Sequence, residues 1–134
     1  NYNIDSKKIA ILGTSAGAQL ATLVGVTPNS EIYNEQHEAI SSEVQAIVNI
    51  DGIVSFIHPE ASAEGKAAGL WLDGSRDENP KNWKEASPLE YVDKNTPPIL
   101  FINSSRPRFH AGRDDMIKIL NKNNIYFNKF ININ

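Results

Sequence analysis

One serine, with a glycine two residues to either side, constrains this chain more than any other feature. Gly13-Thr14-Ser15-Ala16-Gly17 follows the apolar run Ile9-Ala10-Ile11-Leu12 and opens the helix-like stretch Ala16-Gln19-Leu20-Ala21-Leu23-Val24. A G-x-S-x-G between a buried strand and a helix demands a sharp reversal of the backbone at the serine. Glycines on both sides remove side chains that would collide as the chain turns back. The spacing therefore predicts a strand, a tip occupied by Ser15, and a helix that begins with the N–H of Ala16 close to the serine hydroxyl.

Such a tip admits three readings. In the first, the turn lifts the Ser15 hydroxyl clear of the sheet as a nucleophile, and the Ala16 N–H donates to an oxyanion formed beside it. In the second, Ser15 merely caps the helix. The third is a phosphate-binding loop, but that loop wants a lysine directly after its second glycine, and Ala18 stands there. The dinucleotide fingerprint G-x-G-x-x-G is also missing. A buried strand before the motif and a helix after it favour the first reading.

Composition narrows the partners. The chain has 134 residues, enough for one compact domain, and a net charge of −3. That charge argues against nucleic acid or an anionic membrane as the main partner. No run approaches the roughly 20 apolar residues of a membrane span. With no cysteine, thiol catalysis, disulfides and thiolate metal sites are excluded. His37, His58 and His110 are far apart and lack metal-ligand spacing, so no metal site is expected, and no cofactor is implied.

Strand-like runs at Ile9–Leu12, Val44–Ile50, Ile99–Ile102 and Ile125–Ile131 alternate with helical patterns at Ala16–Val24 and Asp114–Asn123. Glu31–Glu43 reads as a polar loop with a short helix, Ile53–Gly69 as an irregular excursion, and Asn79–Ala86 as a short helix with proline near its start. This alternation implies an α/β chain with a mostly parallel sheet and helices on both faces. There is no initiator Met and no signal peptide pattern, and the apolar alternation runs to the last residues. The expectation is a single domain over 1–134, incomplete at both ends and amounting to about the second half of its fold.

The residues resemble a known family. Ile9 to Ala21 is similar to the elbow of bacterial α/β-hydrolase esterases. Ser87-Pro88-Leu89-Glu90-Tyr91-Val92, with Pro97-Pro98-Ile99-Leu100-Phe101-Ile102 after it, resembles the run such enzymes carry before their acid-bearing loop. Phe101 to Asp114 resembles a narrower subset, carbohydrate esterases that remove acetyl, feruloyl or related acyl groups from plant cell-wall polysaccharides. The resemblance implies a serine ester hydrolase with a small-molecule or polysaccharide ester as substrate, and a secreted or periplasmic setting. An unpaired sheet edge would leave room for a homo-oligomer.

The same resemblance assigns roles and exposes two departures. Ser15 would be the nucleophile and Ala16 the oxyanion donor. The loop after the third strand usually begins His-Gly and carries the triad Asp, whereas Asn103-Ser104-Ser105-Arg106-Pro107-Arg108 holds no acid. Asp114 is then the candidate acid, weighed against a plain helix-start carboxylate. The triad histidine would follow the last strand, beyond Asn134, with His110 as an alternative base. The isolated chain is accordingly expected to turn over little or no ester. Arg106, Arg108 and Arg113 are candidates for substrate binding, weighed against pairing with Asp114 and Asp115. Asp51, at the end of the second strand, reads more as a turn residue than as a site acid. Trp71 and Trp83 read as core, with sugar stacking as the alternative. The competing function is a binding or structural module that keeps the fold without a working triad.

Overall fold

A computed structural model describes residues 3–28, 30, 32–33 and 41–132. Four strands, β1 (Ala10–Thr14), β2 (Ala46–Ile50), β3 (Ile99–Ser104) and β4 (Phe127–Asn132), lie side by side in chain order. All three pairings are parallel. Parallel neighbours need crossovers. Helix α1 (Ala16–Val26) lies in the first crossover and α4 (Arg113–Lys122) in the third. The middle crossover is longer and carries α2 (Gly65–Trp71) and α3 (Pro80–Glu85), with 3₁₀ turns at Pro59–Glu64 and Pro88–Tyr91. The stretch expected to be irregular, Ile53–Gly69, thus holds a 3₁₀ turn and the first part of α2. Most of the loop expected over residues 31–43, His37 included, lies outside the described residues.

Register sorts the side chains. Ile11, Ile47, Ile99 and Phe127 form one row across the sheet, and Gly13, Asn49 and Phe101 start the next. Val26 of α1 and Met116 and Leu120 of α4 pack on this face, with Ile47, Ile99 and Phe101 fully buried beneath them. Truncating one such residue to alanine typically costs about 2–5 kcal/mol. The opposite face carries Leu12, Val48, Ile50, Leu100 and Ile102, which are half-buried or exposed among the described residues. A second cluster, containing Phe56, Ala68, Leu72 and Trp83, fills the space between the middle crossover and the C-terminal ends of the strands.

Two close approaches seat α1. A Cβ on Gly13 would lie 2.0 Å from the Gly17 carbonyl oxygen, and one on Gly52 would lie 2.4 Å from the Ala18 methyl. Any side chain at either point would push the helix off the sheet. Asn49 completes the seat from inside the sheet. Its Nδ2 donates to Thr22 Oγ1 at 2.8 Å, while its Oδ1 accepts from the Gly52 N–H at 2.9 Å. A buried amide satisfied on both sides ties strand, helix and turn together.

The two motif glycines should behave oppositely. A Cβ built on Gly17 meets nothing within 4 Å. Gly17→Ala is therefore expected to leave the chain as stable or up to about 1 kcal/mol more stable, since glycine weakens a helix. Gly13→Ala must displace backbone and is expected to destabilise by about 3 kcal/mol or more. Urea melts of the two variants test this, and equal midpoints would contradict the packing described.

Candidate active site

Ser15 sits at the tip between β1 and α1 with φ 55° and ψ −123°. A non-glycine residue with positive φ is uncommon, and this combination also lies outside the left-handed well. It costs on the order of 1–3 kcal/mol and persists only where the surroundings enforce it. Here they do. The Ser15 N–H donates to the Ile50 carbonyl of β2 at 2.8 Å, and its own carbonyl accepts from the N–H groups of Ala18 and Gln19. The side chain makes no capping hydrogen bond to α1. Ser15 is exposed, with its hydroxyl outside the helix's own hydrogen bonding. The capping reading therefore fails. The Ala16 N–H precedes the first intrahelical bond, so it belongs to the orphan donors of the helix start.

The cavity beside Ser15 is about 160 Å³, and Ala16, Asp51, Phe56, Trp71 and Phe109 contribute to its lining. Asp51 closes β2 with φ 54°, a second strained position. Its Oδ1 accepts the Ser104 N–H at 2.7 Å, and its own N–H reaches the Ile102 carbonyl at 3.0 Å. Asp51 thereby splices the ends of β2 and β3 and holds the start of the Ser105–Gly112 loop in place. Its role is structural, as expected from the sequence, yet it also borders the serine. Glu64, at the end of its 3₁₀ turn, lines the cavity too and pairs with Arg108 at 3.5 Å.

The remaining candidates lie on the loop and helix after β3. His110 is half-buried, and its Nε2 donates to the Ser104 carbonyl at 2.7 Å, which places the proton on that nitrogen. Neither His110 nor His58 borders the Ser15 cavity. Asp114 lies in the first turn of α4 with its carboxylate exposed. The Arg113 Nε donates to Asp114 Oδ1 at 2.9 Å, and Lys129 stands 3.9 Å away. The hydrogen bond from Arg113 holds the Asp114 carboxyl below the usual carboxylate range, with Arg113, Lys129 and His110 adding electrostatic help against a smaller cost of burial. Asp114 is thus an exposed, ionised carboxylate on the C-terminal side of the sheet.

Two sequence expectations need correcting. Arg113 cannot meet a substrate: only 4% of it is exposed, and its Nη1 donates to the buried Asn103 Oδ1 at 3.0 Å while Nε holds Asp114. A buried guanidinium needs such partners, and here it serves the fold. Trp71 is not core. It is 56% exposed and borders the serine cavity, whereas Trp83 is 4% exposed and donates its indole N–H to the Gly74 carbonyl. Arg106 is exposed, and Arg108 is held at the rim between Glu64 and the ring of Phe109. Phe56, Glu64 and Phe109 were not legible as site residues. They reach the serine only because the middle crossover and the loop after β3 fold over the sheet ends.

A strained serine between a parallel strand and a helix, at the C-terminal edge of an α/β sheet, defines an α/β-hydrolase. The chain belongs to the BD-FAE family, whose sequence pattern matches residues 1–119. It is 31% identical over 107 residues to "Esterase LipC" of Mycobacterium tuberculosis, an alignment covering 76% of this chain and 27% of that protein. It is 27% identical over 122 residues to "Probable carboxylic ester hydrolase LipM" of the same organism, covering 88% of this chain and 27% of that one. The chain spans about a quarter of the length of these curated relatives. Among solved structures, a truncated carbohydrate esterase from gut microbiota superposes with a TM-score of 0.73 at 25% identity, over 97% of this chain and 52% of that one. An acetyl ester-xyloside bifunctional hydrolase from Caldicellulosiruptor lactoaceticus gives a TM-score of 0.70 at 25% identity, over 96% of this chain and 47% of that one.

The Arg113–Asp114 pair has a consequence in acid. A carboxyl whose folded pKa lies below its unfolded value, about 3.9 for Asp, favours the folded state above that value. The contribution is lost as pH falls through the folded pKa. Asp114→Asn is expected to lower the urea midpoint at pH 7 and to shrink the loss of stability between about pH 5 and pH 2. An unchanged acid dependence in this variant would mean that the pair contributes nothing to folding.

Proposed function

We propose that this chain carries the nucleophile of a serine carboxylic ester hydrolase, acting on acetylated or otherwise acylated plant polysaccharide or oligosaccharide. The observation that carries the reading is the Ser15 backbone, held at φ 55° with the hydroxyl left out of helix capping. Relatives named as esterases support the reaction class, and solved carbohydrate and acetyl ester hydrolases of similar structure support the substrate class.

In this mechanism the Ser15 Oγ attacks the acyl carbonyl carbon while its proton passes to a histidine base. The tetrahedral oxyanion is bound by the Ala16 N–H, a donor already oriented by the helix start. Collapse expels the sugar hydroxyl with the proton returned by the histidine, and water then releases the acyl group from Ser15 by the same two steps. Asp114, ionised and exposed, is the carboxylate that would orient the imidazolium. The histidine comes from outside the described residues, because His58 and His110 stand away from the Ser15 cavity. The reaction needs no cofactor.

In the full-length protein, Ser15→Ala should lower turnover of p-nitrophenyl acetate by at least about a thousandfold. A fluorophosphonate probe followed by peptide mass spectrometry should place its label on Ser15. A label elsewhere in an active enzyme, or turnover that survives the substitution, would leave a binding module as the better reading. Asp114→Asn should cost far more turnover than Asp51→Asn, which keeps an acceptor oxygen for the Ser104 N–H. The reverse ranking would move the acid to the end of β2.

A further inference from the structure

Two of the cavities among the described residues share one side chain. The smaller, about 160 Å³, holds Ser15, with Ile53, Ala68, Trp71 and Phe109 in its walls. The larger, about 570 Å³, is bordered by Pro59, Ala61, Leu70 and Trp83 and carries Arg76 at its edge. None of the groups assigned to catalysis borders the larger cavity. Phe56 alone borders both.

Phe56 is held firmly in that position. It is 7% exposed, and its ring meets Trp71 edge-on at 5.3 Å and Trp83 edge-on at 6.2 Å. Aromatic pairs at these distances and angles favour a fixed orientation. Its N–H donates to the Ser87 Oγ, which itself donates to the Trp83 carbonyl, so backbone and ring are anchored to the same helix.

We propose that Phe56 is the residue that limits acyl size: it closes the serine-side cavity against the larger apolar cavity behind it, so that Ser15 accepts short acyl groups. The inference rests on the esterase reading above and refines its substrate class. A cavity of about 150 Å³ is known to take benzene. The space beside Ser15 is of that size, ample for an acetyl group and too small to enclose a feruloyl group, which has more than twice the heavy atoms of benzene. The barrier is a ring, and not a charge or an unpaired polar group, so its removal should admit longer acyl chains without altering the chemistry at Ser15.

The test is an acyl-length series, acetate, butyrate, hexanoate and octanoate p-nitrophenyl esters, together with methyl ferulate, on the full-length protein. Wild type should lose at least about tenfold in kcat/KM from acetate to hexanoate, in line with roughly 10- to 200-fold effects of single methylenes in tight pockets. Phe56→Leu and Phe56→Ala should raise the hexanoate-to-acetate ratio by about tenfold or more. Trp71→Ala, at an exposed residue, should raise it by a smaller factor while leaving the melting curve nearly unchanged. A ratio within about twofold of wild type, in folded variants that still hydrolyse acetate through Ser15, would overturn the proposal. A companion experiment is independent of esterase activity. These 134 residues hold no cysteine, so Ser15→Cys adds a thiol whose labelling is read on its own peptide by mass spectrometry; the thiol displaces methanesulfinate from an alkyl methanethiosulfonate to form a mixed disulfide. Methyl reagent should label it at least about tenfold faster, relative to free thiol, than hexyl reagent, and Phe56→Leu should remove most of that difference. Equal relative rates in the Phe56 background would sink the size limit even if ester hydrolysis were absent altogether.

Discussion

A methyl group at Gly13 would lie 2.0 Å from the Gly17 carbonyl oxygen, and one at Gly52 would lie 2.4 Å from the Ala18 methyl. The first turn of α1 therefore rests on two bare stretches of backbone, one in β1 and one just after β2. This contact fixes the height of α1 above the sheet. With β1 and α1 both fixed, one residue must reverse the chain between them, and Ser15 takes φ 55° as a result. The strain is local, but it is sustained by packing spread over three elements. Asn49 links them again from below, through Thr22 and Gly52.

The second strained residue, Asp51, follows from the same arrangement one strand further on. Where β2 ends, its backbone must leave the sheet at once to pass over α1. Asp51 adopts φ 54° and uses its carboxylate to hold the start of the loop after β3. Two consecutive strand ends thus project their tips into one cavity. Parallel strands make this unavoidable, because all their C-terminal ends lie on the same side. Charge then follows geometry. Arg113 is buried where a cation needs partners, and it takes Asn103 and Asp114, so its burial keeps the neighbouring carboxylate ionised.

The aromatic cluster gives the site its shape. Trp83 is locked in the core by its indole hydrogen bond, Phe56 leans on it, and Trp71 leans on Phe56 from the solvent side. This row runs from the interior to the edge of the serine cavity. Ser15 and Asp51 at the strand ends give the cavity its polar side, while Phe56 and Trp71 from the middle crossover give it apolar walls.

The parallel α/β fold and the strand, tip and helix around Ser15 were legible in the sequence, because their signals are local even though the contacts that hold them, such as Ser15 N–H to the Ile50 carbonyl, are long-range. Glycine spacing, an apolar run and a helical pattern are all local signals. The sequence also placed β3 and α4 to within one or two residues: β3 starts at Ile99 as expected but runs on through Asn103 and Ser104, whose pairing partners lie in β4, and α4 spans Arg113–Lys122 where Asp114–Asn123 was expected. Which arginine is buried, which tryptophan faces solvent and which residues wall the cavity follow from long-range packing alone. Arg106, Arg108 and Arg113 look alike in a string of letters. Their fates differ because Arg113 alone begins a helix that packs against the sheet, where Asn103 waits beneath it. Trp71 and Trp83 differ for the same reason: each lies on a short helix, and only the long-range placement of Phe56 and Gly74 sets which of them is enclosed.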